Sequence, residues 1–172
     1  MKKLLVVIDM QKEFVVGKFG NEMTQAIVPH IKEKIDRFNA DDQSILFTLD
    51  GRFTIYKEMP SGKYVPEDIM IKGTEGYDIL DELYVDNSTL LERESLASLA
   101  MIEFMEQYYK DIEEIELCGV FSNTCVISNA VLLKAMYPHL LITVDKLACA
   151  GTTEENHQAA IETMIKCNIN LL

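Results

Sequence analysis

The stretch ELCGVFSNTCVISNAVLLKAM, residues 116–136, decides the fold of this chain. It begins as an apolar run of the kind found in a strand that is buried on both faces. It ends with the apolar spacing of an amphipathic helix. The polar turn between the two carries Cys125, at the point where the helix is predicted to begin. A buried strand that leads through a short turn into a helix is typical of a parallel α/β sheet.

The rest of the chain repeats this alternation of strand and helix. Strands are predicted at 3–8, 44–50, 88–93, 112–120, 140–145 and 168–172. Helices are predicted at 24–39, 96–109, 126–137 and 152–168. We therefore expect an α/β fold with three αβα layers, in which a Rossmann-like, mostly parallel six-stranded sheet carries helices on both faces.

No repeat, low-complexity tract or linker divides the sequence, so residues 1–172 are predicted to form a single domain. The segment 51–77 holds most of the prolines and glycines. It predicts a long surface loop of the kind that builds or covers a site.

The composition restricts the possible partners and the location. A net charge of -12 and a pI near 4.6 argue against binding to a nucleic-acid backbone. The apolar run at 4–8 is too short for a signal peptide and ends at Asp9. No stretch contains the ~20 apolar residues that a membrane helix needs. The sequence therefore predicts a cytoplasmic protein with neither a nucleic-acid nor a membrane partner.

Three reactive or charged side chains are predicted to meet at one edge of the sheet. Asp9 follows the first strand, Arg93 ends the strand at 88–93, and Cys125 follows the strand at 112–120. The carboxyl ends of parallel strands open onto the same edge, where α/β proteins bind ligands near the switch point. Each residue also has a structural explanation: Cys125 as a half-buried cysteine, Asp9 as a turn cap, and Arg93 as part of a solvated charge run.

The predicted position of Cys125 at a helix N-terminus has chemical consequences. Unpaired backbone N–H groups and the helix dipole favour an anion there, so a lowered thiol pKa is expected. The same N–H groups can stabilise an oxyanion on a substrate carbonyl.

The remaining cysteines and the histidines do not form a second site in the sequence. Cys118, Cys149 and Cys167 lack metal-ligand or redox spacing and are predicted to be reduced and structural. His30, His139 and His157 are scattered, so neither a zinc site nor a Cys–His dyad is predicted. No phosphate-binding glycine motif occurs, and no cofactor is expected.

The sequence resembles the isochorismatase-like cysteine hydrolases, the superfamily that includes nicotinamidases and related amidases. The specific motifs are LLVVIDMQKEF (4–14) and GVFSNTCVISNAVLLKA (119–135). Further matches are IKGTEGYDIL (71–80), ERESLASL (92–99) and DKLACAGTTEENHQAAIETM (145–164). The resemblance runs nearly end to end.

The resemblance implies a catalytic triad of Asp, Lys and Cys. Cys125 would be the nucleophile, and Asp9 the general base that later returns its proton to the leaving amine. Arg93 stands where the family has lysine, and it keeps the positive charge but is not an equivalent replacement. The family's oxyanion hole would map to the backbone N–H groups of Thr124 and Cys125.

Further features follow from the same resemblance. A cis peptide bond would fall between Val120 and Phe121, and the walls of the substrate pocket would include Phe14, Arg52 and Phe121. Relatives commonly form dimers or larger assemblies, so a homo-oligomer is expected.

The metal site of nicotinamidases has no counterpart in this sequence. Asp50 is kept, but Arg52 replaces the first ligand histidine, and the segment 66–73 offers no later one. A metal-independent enzyme is therefore expected.

The sequence thus predicts a cysteine hydrolase of a small amide or related small molecule, acting through a thioester intermediate. The replacement of lysine by Arg93 keeps open a non-catalytic binding or assembly subunit of the same fold. A flavodoxin-like or Rossmann nucleotide binder is a third interpretation, which rests on sheet topology alone.

Overall fold

The computed structural model describes residues 2–51, 71–86, 88–108 and 110–172. Within these ranges the strands are β1 (Lys3–Ile8), β2 (Ser44–Asp50), β3 (Thr89–Arg93), β4 (Glu114–Val120), β5 (Leu141–Ala150) and β6 (Asn170–Leu171). They form one sheet in the order β3-β2-β1-β4-β5-β6, and each neighbouring pair is parallel. The predicted α/β fold is confirmed. Most of the loop predicted at 51–77 lies outside the described residues.

The helices connect these strands. They are α1 (Lys12–Val15), α2 (Glu22–Ala26), α3 (Val28–Ala40), α4 (Leu99–Tyr108), α5 (Ile127–Met136) and α6 (Glu154–Lys166). The crossovers from β1 to β2 and from β3 to β4 run across the sheet in opposite directions. Right-handed connections therefore place α3 on one face and α4 on the other. Across the described part of the chain, no helix has the length and apolar character needed to cross a bilayer.

The switch point of the sheet lies between β1 and β4, at its centre. The chain leaves β1 towards one side of the sheet and reaches β4 from the other side. Gly119 faces Ile8 across this pair with a φ of 115°, and an added Cβ would lie 2.1 Å from the Ile8 carbonyl oxygen. Only glycine fits there, so the two strand ends approach closely where Asp9 and the Cys125 turn begin.

A buried ion cluster attaches α3 to its face of the sheet. Lys34 of α3 is 3% exposed and forms ion pairs with Glu116 of β4 and, at 2.7 Å, with Asp145 of β5. Burial opposes the charge on Lys34, yet the two carboxylates raise its pKa above the ordinary value. The charges of these three side chains therefore compensate one another, as buried charges must.

Several predicted boundaries differ from the observed ones. The helix predicted at 24–39 is divided into α2 and α3, because Pro29 lacks an N–H and occupies the first turn of a new helix. The helix predicted at 96–109 begins only at Leu99, where the Ser98 hydroxyl accepts a bond from the Met101 N–H at 3.1 Å.

The strand predicted at 140–145 continues to Ala150. Leu117 pairs with Val144, but Gly119 pairs with Cys149, so β5 bulges between these two pairs. Because the bulged residues Asp145–Leu147 are partly or fully exposed, the sequence pattern indicated the end of a strand there.

Candidate active site

Asp9 lies at the carboxyl end of β1 and is completely buried. Its φ is 50°, an uncommon value for a residue other than glycine, and such backbone strain concentrates at functional sites. The Thr48 hydroxyl of β2 accepts a bond from the Asp9 N–H at 3.2 Å and donates to Asp9 Oδ1 at 2.7 Å. The neighbouring strand thus fixes both the backbone and the carboxylate of Asp9.

Arg93, at the end of β3, joins this carboxylate to the candidate nucleophile. Its Nε donates to Asp9 Oδ1 at 3.0 Å and to Oδ2 at 3.1 Å, and its Nη2 also bonds to Oδ2. The same Nη2 lies 2.9 Å from Cys125 Sγ and 3.2 Å from Asp50 Oδ2. Nη1 donates to the Ser95 carbonyl. One guanidinium therefore holds two carboxylates and one thiol within its reach.

Cys125 lies in a π-helical turn, Ser122–Val126, that leads directly into α5. Cys125 thus lies two residues before Ile127, where α5 begins, close to the helix start at which the sequence predicted the thiol. Its Sγ accepts bonds from Arg93 and, at 3.6 Å, from the Thr124 hydroxyl. The structure thus brings Asp9, Arg93 and Cys125 together at the switch point of the sheet.

The prediction of a lowered thiol pKa is wrong for this structure. Burial raises the pKa of Cys125 to about 12, and the negative charges of Asp9 and Asp50 act in the same direction. Arg93 and the hydroxyl of Thr124 oppose this rise without cancelling it. Desolvation disfavours a thiolate at a site that is 3% exposed, and it outweighs the favourable position ahead of α5.

The pKa values of the two charged partners of the thiol, Asp9 and Arg93, are shifted as well. Burial raises the pKa of Asp9 above its ordinary value, against the lowering effects of Arg93 and Thr48. Burial alone would lower the pKa of Arg93, but the charges of Asp9, Cys125 and Asp50 raise it overall. The guanidinium therefore stays protonated, while protons on Asp9 and Cys125 are retained more readily than in water.

Asp50, at the end of β2, is poorly placed to bind a metal ion. It is fully buried beside Arg93, so a divalent cation at this carboxylate would lie next to a fixed positive charge. Among the described residues, no group of three or more His, Cys, Asp or Glu side chains is arranged to hold a metal ion. Asp50 serves as a second counter-ion of Arg93.

The backbone around Cys125 differs in one respect from the implied oxyanion hole. The Thr124 N–H donates to the Phe121 carbonyl at 3.0 Å, and the Val126 N–H donates to the same oxygen at 3.1 Å. The Thr124 N–H would therefore have to share its proton to contact a substrate. The peptide bond between Val120 and Phe121 is cis, at the position that the resemblance indicated.

Two of the three expected pocket residues contact each other. The rings of Phe14 and Phe121 lie edge to face with centroids 5.7 Å apart, and Phe19 lies 5.8 Å from Phe14 on another side. Both Phe14 and Phe121 are largely buried. The third expected pocket residue, Arg52, lies outside the described residues.

Two polar side chains, Gln11 and Asn129, support the site, and no sequence pattern indicated Asn129. Gln11 accepts from the Asp50 N–H at 2.8 Å and donates to the Tyr77 carbonyl at 2.8 Å. Asn129 accepts from the Ser98 N–H and donates to the Cys125 carbonyl, both at 2.8 Å. These contacts join the strand ends to the Cys125 turn. Gln11 within the first motif was the one available signal, since it follows Asp9 by two residues.

The histidines lie apart from the thiol. His30 is exposed on α3, and His139 lies in the turn after Pro138. His157 of α6 contacts Ser122, with its Nδ1 2.9 Å from the Ser122 hydroxyl, rather than Cys125.

Comparison with known proteins identifies the family. The isochorismatase domain model matches residues 3–172. The chain therefore belongs to the isochorismatase family, an assignment that agrees with the sheet order and with the position of Asp9, Arg93 and Cys125 at its switch point. By sequence, no curated protein matches this chain significantly.

Solved structures share this fold along nearly the whole chain. The pyrazinamidase/nicotinamidase of Streptococcus mutans superposes with a TM-score of 0.87 at 22% identity, covering 99% of this chain and 100% of its own. The nicotinamidase of Bacillus subtilis gives 0.86 at 21% identity, covering 99% of each chain. The N-carbamoylsarcosine amidase of Thermoplasma acidophilum gives 0.80 at 21% identity, covering 99% of this chain and 95% of its own.

Proposed function

We propose that this protein is a metal-independent cysteine hydrolase that cleaves the C–N bond of a small, uncharged amide. The observation that carries the proposal is the contact of one guanidinium, Arg93, with both the Asp9 carboxylate and the Cys125 thiol. The similarity of the fold to structures named as nicotinamidases and as an N-carbamoylsarcosine amidase supports amide hydrolysis.

The charge balance of the site lowers the cost of proton transfer from Cys125 to Asp9. The negative charge of Asp9 is one of the causes that raise the thiol pKa. When Asp9 takes the thiol proton, that repulsion disappears and the net charge of the pair does not change. Arg93 contacts both groups and can stabilise the negative charge on either. A thiol that is protonated at rest can therefore be activated when a substrate is present.

The reaction then proceeds in two halves. Cys125 Sγ attacks the amide carbon while Asp9 accepts the thiol proton, and the Cys125 N–H stabilises the oxyanion. The C–N bond breaks as Asp9 returns the proton to the leaving nitrogen, which gives an amine or ammonia and a thioester on Cys125. Asp9 then takes a proton from water, whose oxygen attacks the thioester. The carboxylic acid leaves, and the proton returns to the thiol.

The charges of the site favour an uncharged substrate. Within the described residues, Asp9 and Asp50 place two carboxylates against the guanidinium of Arg93. The guanidinium already bonds to Asp9, Asp50, Cys125 and Ser95. A substrate carboxylate would therefore meet repulsion at this cluster. If Phe14 and Phe121 form the pocket walls, as expected, their edge-to-face rings would suit a flat or apolar acyl group.

The experiment that tests the proposal is a screen of small amides for ammonia release. The parent protein is compared with Cys125→Ala, and Cys167→Ala is the matched control because Cys167 lies away from Arg93 and is only half-buried. We expect release by the parent and by Cys167→Ala, and at least about a hundredfold loss in Cys125→Ala.

Two results would contradict the proposal. One is turnover in Cys125→Ala at the parental rate. The other is no release by the parent from any uncharged amide, combined with tight binding of one of them, which would indicate a non-catalytic binding subunit.

A further inference from the structure

A partly buried contact links the Cys125 turn to the last long helix. Ser122 begins the turn and is fully buried, and its hydroxyl lies 2.9 Å from His157 Nδ1 on α6. We propose that His157 is a positioning residue: through Ser122 it holds the turn so that the Cys125 thiol and N–H face the substrate together. This inference rests on the proposed hydrolase function.

The turn needs such a support because its own backbone bonds do not make it a regular helix. The Phe121 carbonyl accepts from both Thr124 and Val126, and the turn is wound more widely than α5. π-helical turns of this kind are rare and are frequent at functional sites. Side-chain contacts therefore contribute much of what fixes the orientation of Cys125.

Asn123, the residue after Ser122, bonds to Thr152, which lies just before α6. Asn123 Oδ1 accepts from the Thr152 N–H at 2.9 Å, and Asn123 Nδ2 donates to the Thr152 hydroxyl at 3.2 Å. These bonds are exposed, so water can replace them at little cost. The Ser122 side chain is fully buried, so loss of its partner would leave an unsatisfied hydroxyl.

His157 lies in a tightly packed part of α6. A Cβ added to Gly151 would lie 2.8 Å from the backbone nitrogen of His157 and 2.9 Å from its Cβ, so the loop after β5 packs tightly against the start of α6. Burial lowers the pKa of His157, and the charge of Glu154 opposes this effect. A neutral ring can accept a hydrogen bond from the Ser122 hydroxyl at Nδ1. Protonation of the ring is therefore not needed for the contact.

The test substitutes each partner and both together. His157→Leu and Ser122→Ala are each expected to lower kcat by about tenfold to hundredfold with little change in KM, because the reacting groups are displaced rather than the substrate contacts. The double variant is expected to be no slower than the slower single variant, since both substitutions break one contact. His157→Asn, whose amide can reach the Ser122 hydroxyl in place of Nδ1, is expected to recover most of the activity.

A second readout does not depend on knowing the substrate. Peptide mapping after iodoacetamide treatment measures the alkylation rates of Cys125 and Cys167 in the same sample. We expect His157→Leu and Ser122→Ala to change the rate at Cys125 by about fivefold or more and to leave Cys167 unchanged. His30→Leu is the matched control, because His30 is exposed on α3. Ser122→Ala removes a single oxygen atom and decides the test if His157→Leu fails to fold.

Unchanged kcat and unchanged Cys125 alkylation in both single variants would overturn the inference. So would a double variant whose losses multiply, or a His157→Asn variant as slow as His157→Leu. If the parent releases no ammonia while the alkylation results hold, the proposed function fails and the positioning role stands.

Discussion

The Nη2 atom of Arg93 lies 2.9 Å from the Sγ atom of Cys125, and the same nitrogen bonds to both Asp9 and Asp50. The guanidinium is therefore shared between one thiol and two carboxylates. Burial raises the thiol pKa, and the negative charges of Asp9 and Asp50 add to this rise, while Arg93 opposes it. From this arrangement follow predictions on reactivity, pH dependence and stability.

Asp9→Asn is expected to increase the reactivity of Cys125 and to abolish turnover. Removal of the carboxylate charge lowers the thiol pKa, so alkylation by iodoacetamide at pH 8 should be roughly tenfold faster if the pKa falls by about one unit. Without a base, amide hydrolysis should fall by about a hundredfold or more. Asp111→Asn, at an exposed carboxylate, is the control. Slower alkylation of Cys125 in Asp9→Asn would contradict the electrostatic argument.

The alkylation rate of Cys125 in the free parent protein should keep rising with pH. Burial raises the thiol pKa to about 12, and the thiolate fraction below a pKa grows about tenfold per pH unit. A rate measured by peptide mapping should therefore rise steadily from pH 7.5 to pH 10. An ordinary cysteine, with a pKa of about 8.5, would level off within this range. A plateau of the alkylation rate below pH 9 would show that the pKa of the Cys125 thiol is not raised in this way.

Arg93→Gln should strongly destabilise the fold. It removes the cation that contacts the buried carboxylates of Asp9 and Asp50, and breaking a buried ion pair from one side costs about 3–5 kcal/mol of unfolding free energy. The double variant Asp50→Asn/Arg93→Gln removes one of the two carboxylates that lose this contact and should recover part of the loss. Urea denaturation measures all three proteins. A double variant less stable than Arg93→Gln would contradict the role of Asp50 as a counter-ion.

Arg93→Lys tests what the guanidinium adds to a plain positive charge. A lysine can pair with Asp9 but cannot keep the bonds to Asp50, Cys125 and Ser95 at once. Loss of a hydrogen bond that involves a charged group costs about 1.5–3 kcal/mol, so kcat/KM should fall about tenfold to hundredfold. Steady-state ammonia release measures the effect. Activity in the lysine variant but none in the parent would instead support a non-catalytic protein.

Much of the fold and the convergence of three side chains could be predicted from the sequence. Buried strands read as continuous apolar runs, and parallel strands must end at the same edge of a sheet. Asp9 and Cys125 follow such runs, and Arg93 ends the short, partly exposed edge strand β3, so their proximity needed no knowledge of side-chain contacts. The α2–α3 break also had a sequence signal in Pro29, although the continuous apolar spacing concealed it.

The thiol pKa and the support of the Cys125 turn could not be predicted in the same way. The expected effect of the helix N-terminus depends on local position, whereas desolvation depends on how deeply the finished fold buries the sulfur. The Ser122–His157 contact joins residues 35 positions apart on different elements. No local pattern indicates such a contact, because it arises only when α6 packs beside the turn.

The most direct test of a thioester mechanism is mass spectrometry of the acid-quenched protein during turnover of an amide found in the ammonia screen. We expect an added mass equal to the acyl group of the substrate, located on the peptide that contains Cys125 and absent from Cys125→Ala. An acyl group on any other residue, or turnover by Cys125→Ala at the parental rate, would contradict it.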